Sequence, residues 1–145
     1  MKKFKFSKQS IMNIREAQKK AEEQNLLSAA GRVAYEQGEL DKIDSELDKA
    51  WLTPFVDGMQ ISEFQMYKER YVNFLKSKRE RQQLNLNNAE HDYDLTKDAL
   101  HLALAECRKI EKLKEREHSL WCEEDRRNEN KEGDEIALRS TYYAF

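Results

Sequence analysis

Apolar residues in this chain recur every three or four positions, with charge and amide filling the gaps. Ile11, Ile14, Gln18 and Ala21 follow 3-4-3 spacing, and Leu26, Ala29, Val33, Leu40, Ile43, Leu47 and Ala50 take it up again. The phase slips by one residue between Ala21 and Leu26, which predicts a locally altered supercoil rather than a separate domain. Phe64, Tyr67, Tyr71 and Phe74 begin a second series. It fades through the polar stretch 76–92 and resumes at Leu95, Ala99, Leu102, Ile110, Leu113 and Leu120. Two long amphipathic helices are therefore expected.

The only proline lies between them, in "WLTPFVDGMQISEFQMY" (51–67). Pro54 drives the preceding residue out of the α region, Asp57-Gly58 supplies turn chemistry, and Ser62 with Gln65 forms a capping box. Ser7 or Ser10 caps the first helix. The expected bounds are 8–52 for helix one, 53–61 for the turn, 62–138 for helix two and 139–145 for a tail, all in one coiled-coil domain. At 1.5 Å per residue the helices span roughly 68 and 115 Å. Helices this long cannot bury their stripes alone, so the second is expected to fold back along the first. The expected fold is all-α: a long antiparallel two-helix coiled-coil hairpin, with the second helix the longer.

Charge supports the pairing. Residues 36–49 hold six acids and two bases, and residues 68–81 six bases and two acids. Folding about Asp57 sets position 46 opposite 68 and position 33 opposite 81, so the blocks face each other and help fix orientation. It also sets residue 10 opposite about 104, which leaves a C-terminal overhang carrying Ile110, Leu113, Leu120, Trp121, Ile136 and Leu138. An unpaired apolar stripe in water implies a partner. Phe64, Tyr67, Tyr71 and Phe74 serve as the seam, with Leu75 widening the stripe beyond what one helix needs. The competing reading packs these aromatics as tip core with Leu40, Leu47 and Trp51.

Composition agrees with long helices. Charged residues make up 37% of the 145, mean hydropathy is −1.00, and there are four glycines, which suits rods better than a thick core. Net charge is −2, so no global field favours nucleic acid, and the acidic block neutralises the basic run 76–83. The basic start lacks the apolar segment of a signal peptide, and no apolar run reaches transmembrane length. Cys107 and Cys122 fit a reducing cytosol.

Catalytic chemistry has little support. No glycine-rich phosphate loop occurs, and the carboxylates sit on solvated helix faces. His118 and Cys122 at i and i+4 offer two metal ligands where a structural zinc needs four. Neither a metal, a cofactor nor a catalytic residue is expected. A plain structural coiled coil, as a homodimer, is the alternative reading.

Three short stretches, "FKFSKQSIMNIRE", "GMQISEFQMY" and "DEIALR", resemble in order and spacing the FliJ family of flagellar export proteins across essentially the whole chain. Lys8 and Lys78 depart from that family's pattern. The resemblance implies a two-helix coiled coil similar to a rotary-ATPase stalk subunit, cytoplasmic and peripheral to the inner membrane through its partners. It implies a non-enzymatic role in type III export: binding the export ATPase hexamer, promoting its assembly and activity, linking it to the membrane export gate, and handling export chaperones. An injectisome-type stalk is a close variant. Carried over by position, the gate surface comprises Gln37, Leu40, Asp44, Leu47, Tyr71, Leu75, Lys78 and Gln82, and the ATPase contact Asp134, Glu135 and Ala137.

Overall fold

In the computed structural model, which describes residues 2–55 and 58–143, α1 runs from Gln9 to Trp51 (43 residues) and α2 from Ile61 to Tyr143 (83 residues). The fold is all-α, with the second helix the longer, as the sequence indicates. The chain divides into two compact units, Met1–Lys20 with Leu102–Phe145, and Ala21–His101.

The Ala21–His101 unit is an antiparallel hairpin. α1 stops where Pro54 would otherwise enter the helix: Leu52 N–H still reaches the Asp48 carbonyl at 3.2 Å, and Thr53 Oγ1 donates to the Lys49 carbonyl at 2.9 Å. Gly58 has φ +94°, a left-handed conformation that only glycine adopts freely. Asp57 lies outside the described residues. α2 starts one residue earlier than expected, with Phe64 N–H on the Gln60 carbonyl at 3.0 Å. No Ser62–Gln65 capping box forms among the described residues.

The seam lies one residue away from the aromatic stripe. On α2 the seam runs through Lys68, Val72, Leu75, Arg79, Gln82, Leu86, Ala89, Tyr93 and Thr96 in 4-3 alternation, with Phe64 half-buried before it and Gln83 half-buried beside it. Tyr67, Tyr71 and Phe74 are exposed, whereas Leu75 is only 1% exposed and clusters with Ala50, Val72 and Leu47. On α1 the seam positions are Met12, Arg15, Lys19, Glu22, Leu26, Ala29, Val33, Glu36, Leu40, Ile43, Leu47 and Ala50, with Gly38, Glu39 and Asp44 half-buried beside them. No phase slip occurs. Ile11 and Ile14 flank the seam, and Arg15, Lys19 and Glu22 occupy it. Long polar side chains can cover a seam with their aliphatic stems while keeping their heads in water, so apolar residues alone do not reveal its phase.

The register also differs. Asp44 meets Arg79 (Nε–Oδ1 2.6 Å), and Gln82 Nε2 donates to both the carbonyl and the carboxylate of Glu36. Folding about Asp57 would have set Asp44 against position 70. The cause is the turn: Lys68 is the residue that reaches the C-terminus of α1, so the first two turns of α2 project past Trp51. The acidic and basic blocks do face each other at Asp44–Arg79, and Arg32–Asp92 (2.9 Å) adds a pair of reversed polarity. Both pairs are about half exposed, so they set register more than stability.

In the other unit, residues 2–6 precede the helix and lie against α2. Phe6 and Cys107 are buried, and Cys107 Sγ donates to the Arg15 carbonyl at 3.2 Å. Phe4 meets His118 edge-on, ring centroids 5.0 Å apart, and lies 5.9 Å from Trp121. Ile110, Leu113 and Trp121 are consequently half-buried. The expected overhang shrinks: the wholly exposed part of α2 is residues 126–143.

Candidate partner-binding surfaces

Helical periodicity divides the hairpin tip into two sides, one on either flank of the seam. On the first, Tyr67 and Tyr71 share a shallow recess of about 280 Å³ with Ala50, Thr53, Met59 and Phe64. Phe74 and Lys78 follow Tyr67 and Tyr71 by one heptad each. Glu46 and Glu39 stand one and two heptads before Thr53, with Lys49 and Lys42 four residues before Thr53 and Glu46. Lys42 Nζ bonds Glu39 Oε1 at 2.9 Å. That hydrogen bond and the Glu39 charge hold the Lys42 ammonium above its ordinary value.

The second side is built on Trp51, which is 57% exposed and so is not tip core. A groove of about 730 Å³ runs beside it, walled by Phe55, Ile61, Phe64 and Val72 and edged by Glu69 and Lys76. Lys68 and Lys76 both place their ammonium groups 5.8 Å from the Trp51 ring centroid, within cation–π range. Lys68 Nζ also donates to the Trp51 carbonyl at 2.9 Å, satisfying one of the open acceptors at the end of α1.

The residues carried over for a gate contact do not form one patch. Leu40 and Leu75 are buried in the seam and Leu47 is half-buried there. Gln82 is engaged with Glu36. Gln37 and Asp44 stand two heptads and one heptad before Trp51, on its side; Tyr71 and Lys78 lie on the other. Tyr71, Lys78 and Gln37 are exposed, and Asp44 is held by Arg79. Asp134, Glu135 and Ala137 all lie on the uncovered end of α2, beside exposed Ile136 and Leu138. Trp51 follows Asp44 by one heptad, a spacing that marks its side, but hydrophobic periodicity alone does not reveal the groove beside it.

In the unit that joins residues 1–20 with 102–145, Glu117 accepts from both the hydroxyl of Ser7 (2.6 Å) and its backbone N–H (3.3 Å). Ser7 therefore joins α2 and does not cap its own helix. Lys2 reaches a recess lined by Trp121, Glu124, Asp125, Asn128 and Glu129. His118 and Cys122 are adjacent, Sγ to Nδ1 3.8 Å, and among the described residues no group of three or more His, Cys, Asp or Glu side chains converges as metal ligands would. No described helix is long and apolar enough to cross a membrane.

Two long helices, the second the longer, with a hairpin seam between them define an all-α coiled-coil protein. The chain matches the family model described as "Flagellar FliJ protein" over residues 4–143 and belongs to that family. No curated protein and no solved structure matches it.

Proposed function

We propose that this protein is a non-enzymatic stalk of the flagellar type III export apparatus, working at the cytoplasmic face of the inner membrane without entering the bilayer. The uncovered end of α2, with Asp134, Glu135 and Ala137, contacts the export ATPase hexamer and promotes its assembly and activity. The tip contacts the membrane export gate through the side bearing Tyr71 and Lys78, and export chaperones dock on the same rod. The observation that carries this reading is family membership over residues 4–143, joined to a helix end, 126–143, that is exposed along its whole described length.

The mechanism is mechanical. A stiff helical element shifts an ATPase ring between conformations only by binding one of them more tightly. Nothing in that action needs a nucleophile, a proton acceptor or a cofactor. The test is a pull-down of the purified export ATPase by the full chain and by a chain truncated after Glu132. Retention by the full chain and loss on truncation supports the assignment. Equal retention by both removes the C-terminal contact, and absence of retention by the full chain overturns the stalk role.

A further inference from the structure

The two sides of the hairpin tip differ in charge as well as in shape. On the Tyr67/Tyr71/Phe74 side, Lys42 is neutralised by Glu39. That leaves Lys49, Lys78 and Arg81, exposed and without an ion-pair partner among the described residues, against the single acid Glu46. On the Trp51 side the exposed charges are Asp41, Asp48, Glu69 and Glu80 against Lys76, while Asp44 is paired with Arg79. A sheet of solvated charge has no need to segregate in this way, and like charges along one flank repel each other in the free protein.

The aromatic side also holds three rings about half exposed, spaced to follow one flank of α2 for two turns. Their period is that of a second helical seam beside the first, so the shape they fit is another helix lying along that flank. From these two observations we infer that the aromatic side receives an acidic amphipathic helix. Its apolar residues cover Tyr67, Tyr71 and Phe74, and its carboxylates meet Lys49, Lys78 and Arg81. The acidic opposite side repels the same segment, so charge fixes which side docks.

This inference deepens the gate assignment and rests on it, because it specifies the chemistry of the gate segment. The experiment is titration of the full chain with the purified cytoplasmic domain of the export gate, at 50 and 500 mM salt. The unsubstituted chain is compared with Tyr71→Ala, the double variant Lys78→Glu/Arg81→Glu, and Asp41→Lys/Asp48→Lys on the other side. All these positions are exposed, and circular dichroism checks that each variant stays helical. Expected are affinity that falls with salt, a loss of about tenfold or more for Lys78→Glu/Arg81→Glu, and little change for Asp41→Lys/Asp48→Lys. Binding that ignores salt and charge reversal while losing to Tyr71→Ala keeps the gate assignment and overturns the acidic partner. Loss confined to Asp41→Lys/Asp48→Lys overturns the choice of side. Absence of binding by the unsubstituted chain overturns both readings together.

Discussion

Glu117, on α2, holds the segment leading into α1 through Ser7, taking both its hydroxyl and its backbone N–H. Ser7 stands two residues before α1 begins at Gln9, so the carboxylate, a strong acceptor, latches the lead-in segment to α2 rather than capping the helix. Glu117→Ala is expected to cost about 1 kcal/mol, the net size of such hydrogen bonds. Thermal unfolding gives the magnitude, and faster hydrogen exchange confined to residues 4–12 locates it.

Leu75 and Tyr71 lie four residues apart on α2 and should answer substitution in opposite ways. Leu75 packs against Ala50, Val72 and Leu47, so Leu75→Ala is expected to destabilise the hairpin by about 2–5 kcal/mol. Tyr71→Ala, on the outer flank, is expected to change stability by less than about 0.5 kcal/mol. Urea melts of the two variants measure this, and a large loss at Tyr71 contradicts its placement outside the seam.

The contrast between those neighbours shows what could be read in advance. The helices, their order, the break at Pro54 and the unequal lengths follow from 3-4 spacing and one proline, which are local properties. The seam did not follow, because its phase depends on what the partner helix offers. Arg15, Arg79 and Gln82 look like surface residues until Cys107, Asp44 and Glu36 are placed opposite them. Tyr67 and Tyr71 look like core for the converse reason. The register was hidden likewise: the length of α2 that projects past Trp51 is a property of the connection, which composition does not encode.

Gly31 and Gly38 stand within α1, and a Cβ at either position would meet no atom within 4 Å. Gly31→Ala and Gly38→Ala are each expected to stabilise the protein by up to about 1 kcal/mol. Melting temperatures of the single and double variants test this. A decrease would mean that these positions are approached by something in the folded protein.

Lys42 titrates above the ordinary lysine value because Glu39 bonds and attracts its ammonium. A raised folded-state value means the pair contributes at neutral pH, and its contribution is lost only as pH climbs through that raised value. Glu39→Gln should move the Lys42 titration back down, read from the side-chain carbon resonances in an NMR titration. No movement would show that the 2.9 Å contact does not persist in solution.

Cross-section changes along α2. Where a second helix or the N-terminal segment lies against it, a passage must be wide enough for both. Over residues 126–143 it presents a bare cylinder, about 10–12 Å across with its side chains and about 27 Å long. A passage of single-helix width admits that stretch and excludes the parts of α2 where a second segment lies alongside.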